Sequence, residues 1–199
     1  MNPNIAALMH EMRLLEDALE LEFARRRLEF AFSVRKRVVQ FEERVLKRHQ
    51  DLRVGVWRYA WSARPLVALT APLIYSLILP MALLDLATSI YQALCFPAYR
   101  MPKVRRGDYF VFDRNQLAYL NALEKLNCAY CSYANGLFSY IREIGARTEQ
   151  YWCPIKHARR IVSMHERYAT FADFGDAETY RKELAALREE LERERARKA

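Results

Sequence analysis

Glycine is scarce in this chain, with five among 199 residues. Tight turns with positive φ depend on glycine, and an all-β fold needs many such turns. The scarcity therefore excludes a sandwich or barrel of short strands. Neither glycine nor proline occurs between residues 5 and 54. Because long stretches without these breakers are typical of helices, we predict an all-α fold.

A cleavable secretory signal is also missing, since no basic stretch followed by an apolar run opens the sequence. The chain has no Asn-x-Ser/Thr site for glycosylation. Its four cysteines, Cys95, Cys128, Cys131 and Cys153, therefore predict reduced cytoplasmic thiols and exclude a disulfide framework.

Charge is almost absent between residues 65 and 99, where Asp85 is the one charged residue. A membrane-spanning helix needs about 20 apolar residues, and Pro72 and Pro80 predict kinks within the run. Three arrangements stay open: a re-entrant or monotopic hairpin, a single crossing, and a buried interface of a soluble protein. Membrane lipids are the expected partner in the first two. Because a carboxylate is costly there, Asp85 either pairs with a flanking arginine or forms the polar turn of a hairpin.

Basic residues flank the uncharged run on both sides. They are Arg53, Arg58 and Arg64 before it, and Arg100, Lys103, Arg105 and Arg106 after it. Positive residues near the ends of membrane segments favour the cytoplasm, so we predict that the following segment faces that side. Elsewhere in the chain, acidic residues next to the basic clusters weaken their positive potential. Nucleic acid is therefore not an expected partner.

The first 64 residues predict an amphipathic helical arm. Apolar residues recur there at steps of three and four, as at Leu8, Met12, Leu15, Leu19 and Phe23. A helix reaching Val54 cannot be stable on one stripe alone. We therefore expect it to pack on a protein partner or to self-associate with a second copy, as in a coiled coil.

Composition divides the chain into four parts. The helical arm spans 1–64, the apolar membrane-associated segment 65–99, a helical Cys/His segment 100–172 and a charged C-terminal helix 173–199. Asp176 is the expected N-cap of that last helix. Its expected packing seam consists of Tyr180, Leu184, Leu187 and Leu191.

The Cys/His segment carries spacings typical of a metal site. Cys128 and Cys131 form a C-x2-C pair, and Cys153 and His157 stand four residues apart. Three thiolates and one imidazole suit tetrahedral zinc, with an Fe–S cluster as the alternative. Four protein ligands would make the site structural. Glu149 is a candidate to accept the free N–H of a ligating imidazole.

Geometry offers a second arrangement of the same segment. One straight helix after residue 137 would hold Cys153 far from Cys128. If "NG" at 135 and 136 is a turn and Pro154 starts another helix, three antiparallel helices form. Glu143 and His165 would then join the Cys128–Cys131 pair as alternative metal partners in an open site.

Two readings without metal are also open for the cysteines. "CAYC" is compatible with a redox dithiol, but no strand precedes it as in thioredoxin-like proteins. The thiols are otherwise small buried apolar groups, which is the expected role of Cys95.

We predict a membrane-associated, metal-binding helical adaptor or accessory subunit of a membrane assembly. The alternative is a membrane-bound, metal- or thiol-dependent enzyme that acts on a lipid-soluble substrate. In that enzyme Cys128 or Cys131 would act as nucleophile or ligand, and Glu143, Glu149 or His165 as acid or base.

Overall fold

The computed structural model describes residues 3–30, 32–35, 38–62 and 64–198. The predicted all-α class is confirmed, since the chain is mostly helical. In chain order the elements are α1 (Pro3–Glu29), β1 (Phe32–Arg35), β2 (Val38–Phe41), α2 (Glu43–Asp51), α3 (Val56–Ser62), α4 (Pro65–Ser76), α5 (Ile78–Ala98), α6 (Ala122–Trp152) and α7 (Ala177–Lys198). Short 3-10 turns lie at Arg106–Asp108, Asp113–Gln116 and Glu166–Thr170.

The elements belong to two compact units. The first comprises Leu79–Phe110 and Ala134–Ala199, and the second comprises Asn2–Ile78 and Val111–Tyr133. Each unit is built from stretches that lie far apart in the sequence.

The predicted helix reaching Val54 is interrupted by a β-hairpin. β1 and β2 are antiparallel, with Phe32 opposite Phe41 and Val34 opposite Val39. Phe32, Val34, Val38, Val39 and Phe41 are aromatic or β-branched, and such residues favour strands. Helix α1 itself is 27 residues long, so the long N-terminal helix is confirmed up to Glu29.

The first unit packs α5, α6 and α7 around one apolar core. The buried residues are Phe96, Met101, Val104, Tyr140, Ile144 and Leu191. Asp176 caps α7 as predicted, because its Oδ1 accepts the Thr179 N–H at 2.9 Å. Thr179 also lowers the pKa of this carboxyl by hydrogen bonding to it. Leu187 of the predicted seam is buried as well.

The predicted stop at residues 135 and 136 is wrong, because α6 continues through both to Trp152. Gly136 has a different role: the backbone of the preceding loop approaches it closely. A Cβ at this position would lie 2.8 Å from the Tyr109 carbonyl oxygen and 3.2 Å from a ring carbon of Phe110. The glycine is therefore required for close packing inside a helix.

The third helix predicted from Pro154 is also wrong. The chain between α6 and α7 is irregular apart from one 3-10 turn, and Ile155 forms a parallel bridge with Ala172. Lys156 N–H donates to the Ala172 carbonyl at 2.8 Å, and Ala172 N–H donates to Pro154 at 2.9 Å. These long-range bonds satisfy the backbone groups without a helix.

Candidate functional site

Helix α5 buries its polar side chains and exposes an apolar face. Met81, Gln92 and Phe96 are buried on the face that packs on the first unit, and Asp85 lies on the same face. The opposite face holds large apolar side chains that are exposed by half or more of their surface. They are Leu79, Leu83, Leu86, Ile90 and Leu94. The helix therefore turns polar groups inward and leucines outward.

Asp85 lies within α5 and is paired with Arg106, so the predicted pairing with a flanking arginine is confirmed. Both terminal nitrogens of Arg106 donate to the two carboxylate oxygens, one of them at 2.9 Å. Hydrogen bonding to Asp85 raises the pKa of Arg106. The guanidinium carbon also lies 4.4 Å from the centre of the Phe110 ring. The predicted polar turn at Asp85 is wrong, because α5 runs through it without a break.

Gln92 forms the second polar contact of this face. Its Oε1 accepts the Val104 N–H at 2.6 Å, and its Nε2 donates to the Tyr140 hydroxyl at 2.8 Å. The amide is buried with its hydrogen bonds satisfied, so it ties the loop after α5 and helix α6 to α5.

The predicted proline kinks fit the backbone in part. The interruption between α4 and α5 falls at Leu77, directly after Ser76. A residue other than proline at position 80 would donate its N–H to the Ser76 carbonyl. Pro80 has no N–H to donate, and its ring crowds that carbonyl. Pro72 instead lies inside α4 without ending it.

One helical stretch in the described part of the chain is long and apolar enough to cross a membrane. It covers Ala68–Ala98, has a mean hydropathy of 1.8, and has 11% of its most apolar window buried. Its α5 part alone, Ile78–Ala98, has 21 residues and corresponds to roughly 32 Å of helix, enough to cross the hydrocarbon core of about 30 Å. Buried core helices of soluble proteins are mostly covered, and this one is mostly open.

The predicted metal ligands are distributed along α6 and beyond its end. Cys128 is half-buried and Cys131 is exposed on the helix, while Cys153 and His157 are exposed after it. Among residues 3–30, 32–35, 38–62 and 64–198, no three His, Cys, Asp or Glu side chains are grouped to hold a metal. Helix α6 is the straight helix that holds Cys153 far from Cys128, so the structure does not bring the four predicted ligands together. Zinc binding and the Fe–S alternative remain predictions.

The alternative partners have other contacts. Glu143 Oε1 accepts from Arg147 at 2.7 Å and from Arg167 at 3.4 Å. Glu149 Oε2 lies 2.8 Å from Nε2 of His165, whereas the predicted role of Glu149 was to accept the N–H of a metal-ligating imidazole, that of His157. Since α6 is continuous and no third helix forms, the three-helix basis for adding Glu143 and His165 is gone.

An ion-pair network that the sequence pattern did not indicate surrounds Arg167. The guanidinium donates to both oxygens of Glu194 at 2.9 Å and to Gln150 at 2.7 Å. Burial is the largest single influence on the pKa of Arg167 and lowers it, but the hydrogen bonds and negative charges of Glu194 and Glu143 together outweigh burial, so the pKa is raised. The network joins α6, α7 and the segment between them, and its role is structural.

The second unit contains an apolar groove of about 380 Å³. His49 lies at its wall with its ring 5.0 Å from those of Phe41 and Tyr119, both edge-on. The Nδ1 atom of His49 is buried without a hydrogen-bond partner. Sequence reasoning missed the groove because it missed the hairpin that supplies Val39 and Phe41.

No known protein family, curated protein or solved structure matches this chain. The site must therefore be interpreted from its own geometry, in which the outward apolar face of α5 is the dominant feature.

Proposed function

We propose that this chain is a membrane-attached helical adaptor, which places the outer face of α5 in lipid and offers α1 to a protein partner. The observation that carries the proposal is that α5 exposes a wholly apolar outer face while its polar groups, Asp85 and Gln92, are paired on the inner one. A helix on the surface of a soluble protein turns its polar side outward. Membrane segments turn ionisable groups toward the protein interior, where each finds a partner.

The energetic argument supports lipid as the environment. Complete burial of a leucine or isoleucine side chain stabilises a protein by about 1.5–3 kcal/mol. The five outward side chains of α5 are each about half exposed or more. Leaving them in water forfeits on the order of 5 kcal/mol, which is comparable with the entire stability of a small domain.

The adaptor part of the proposal rests on α1. The apolar stripe predicted for this helix is exposed, with Leu8, Met12, Leu15 and Leu19 each more than half accessible. Leu14 and Leu21, which lie off that stripe, are also exposed, so α1 carries apolar surface on more than one side. Uncovered apolar surface of this kind favours a partner, and α1 is the docking element for a partner or a second copy.

The cytoplasmic orientation of the segment after α5 belongs to the proposal as well. Arg100, Lys103 and Arg105 follow the helix and are exposed, as cytoplasmic flanks commonly are. Zinc binding by the Cys/His segment remains a further part of it, and a four-ligand zinc would be structural.

Membrane fractionation after alkaline carbonate washing tests the proposal. In one variant Leu83, Ile90 and Leu94 are replaced by Lys, which places three charges on the outward face of α5. We expect the wild type to stay with the membrane and this variant to move into the soluble fraction.

The matched control replaces Leu8, Leu15 and Leu19 of α1 by Lys, which adds equal charge at equally exposed leucines. We expect this control to stay with the membrane while its oligomeric state or partner binding changes. Circular dichroism checks that both variants keep their helix content. A wild type that is soluble without detergent would refute membrane attachment.

A further inference from the structure

Helix α5 ends in a conformation that normally requires glycine. Arg100 has φ of 55°, in the left-handed region. Met101 N–H donates to the Phe96 carbonyl at 2.9 Å, and Arg100 N–H donates to the Pro97 carbonyl at 3.2 Å. This pair of bonds is the Schellman motif, in which the left-handed residue is usually glycine. An arginine adopts that conformation at an energetic cost that glycine avoids.

The arginine side chain does not contribute packing that would compensate for this cost. It is 72% exposed, and its ion pair with Glu192 is 3.8 Å long between two exposed groups. Such a pair contributes little to folding. A strained position that keeps a solvent-facing cation is a reason to look for a ligand.

Three other cations surround the same end of α5. Lys103 and Arg105 are exposed while Val104 between them is buried, as the alternation of an extended chain requires. Arg195 of α7 donates to the Pro97 carbonyl at 3.4 Å. Arg106 does not belong to the group, because Asp85 already binds it.

Aromatic rings typical of a membrane interface lie beside these cations. Tyr99 precedes Arg100, and its ring contacts that of Trp152 edge-on at 5.4 Å between centres. Trp152 is half exposed. Tryptophan and tyrosine concentrate at the level of the lipid headgroups, and this pair lies where the apolar face of α5 ends.

We infer that Arg100, Lys103, Arg105 and Arg195 form a binding site for the phosphate groups of anionic phospholipids. The inference rests on the proposed membrane attachment and adds the lipid class. Guanidinium groups bind phosphate oxygens in bidentate geometry. Each cation beside an anionic membrane surface raises the partition of the protein onto that surface by roughly fivefold. Arg100 has an acidic neighbour in Glu192, and one carboxylate leaves the positive charge of the four cations predominant.

Trp152 provides a local probe for the test. Replacing Trp57 and Trp61 by Phe leaves it as the one tryptophan of the chain. This protein is reconstituted into vesicles of phosphatidylcholine and phosphatidylglycerol in equal amounts, with bromine on the acyl chains of one lipid or the other. Bromine quenches nearby tryptophan, so the ratio of the two quenching values reports which lipid surrounds the site.

We expect brominated phosphatidylglycerol to quench at least about twice as strongly, since even one cation favours anionic lipid by roughly fivefold. In Arg100→Gly this ratio should fall while the melting temperature stays equal or rises, because glycine relieves the strain. In Arg100→Lys the ratio should be kept. High salt should lower it in the wild type.

Equal quenching by both lipids in the wild type would overturn the lipid inference and leave membrane attachment intact. An unchanged ratio in Arg100→Gly, Lys103→Gln and Arg105→Gln combined would do the same. In that case the cations would only interact with the partial negative charge at the C-terminus of α5 or bind an acidic protein. Absence of quenching by either lipid would overturn the proposed function as well.

Discussion

Arg106 binds both carboxylate oxygens of Asp85, a residue 21 positions earlier in the chain. The pair joins the one charge of the apolar run to the loop that follows it. The Asp85 side chain is 14% exposed and that of Arg106 45% exposed, so the carboxylate is the more deeply placed partner. Pairing lets an apolar helix carry a carboxylate, since an unpaired charge there would be strongly unfavourable.

Removal of the Arg106 side chain should therefore destabilise the first unit. We expect Arg106→Gln to lower the free energy of unfolding by about 1–3 kcal/mol, the range for hydrogen bonds to charged groups. Thermal unfolding in detergent micelles measures this change.

Arg105→Gln is the matched control, because Arg105 is the exposed neighbour and should shift stability by no more than about 0.5 kcal/mol. Adding Asp85→Asn to Arg106→Gln should recover part of the loss, since it removes the orphaned charge. Equal effects of the Arg105 and Arg106 variants would mean that the Asp85 pair does not stabilise the fold.

The two glycines of α6 should respond in opposite ways to alanine. Nothing lies within 4 Å of a Cβ added at Gly145, and a helical glycine costs about 0.5–1 kcal/mol relative to alanine. Gly145→Ala should raise the free energy of unfolding by that amount.

Gly136→Ala should lower the free energy of unfolding by about 1–3 kcal/mol, because the added methyl group would clash with the Tyr109 carbonyl. Denaturant unfolding of both variants gives the comparison. If both substitutions stabilised the protein, the loop at Tyr109 and Phe110 would not pack on α6 as described.

The zinc prediction can be tested by elemental analysis of protein purified without chelator. A site made of Cys128, Cys131, Cys153 and His157 predicts about one zinc per chain, lost in Cys128→Ser and in Cys153→Ser. Iron with a visible absorption band would instead indicate an Fe–S cluster.

Cys95→Ser is the control, because Cys95 lies in α5 and is half-buried there. It should leave the metal content unchanged. Metal that survives Cys153→Ser but not Cys128→Ser would favour an open site and the enzyme alternative. Metal-free wild type would end the prediction.

Labelling of one exposed thiol shows on which side of the membrane its segment lies. In a variant that keeps Cys153 and replaces the other cysteines by Ser, we expect a membrane-impermeant maleimide to react only after the membrane is opened. The reason is that Cys153 is exposed and the basic segment carrying it should face the cytoplasm.

A variant that keeps only Cys95 is the comparison for solvent access, since that residue lies in the apolar helix. It should react slowly on either side. Rapid labelling of Cys153 in sealed cells would place its segment outside and contradict the proposed topology.

Features that depend only on neighbouring residues could be predicted from the amino-acid sequence. Periodic apolar positions and few breakers predicted the all-α class, and Asp176 predicted the start of α7. The lack of charge between 65 and 99 predicted a stretch able to cross a membrane, and a carboxylate in that stretch predicted an arginine partner. Each of these follows from local propensity or from the cost of an isolated charge.

Features that depend on contacts between residues far apart in the sequence could not be predicted in this way. Tertiary structure selected Arg106 among four basic residues after the run, and it made Gly136 a contact point inside α6 rather than a turn. It also exchanged a predicted helix at Pro154 for a bridge to Ala172. Long-range contacts such as these override local propensity, because burial and hydrogen bonds to distant groups can outweigh the small preferences of single residues.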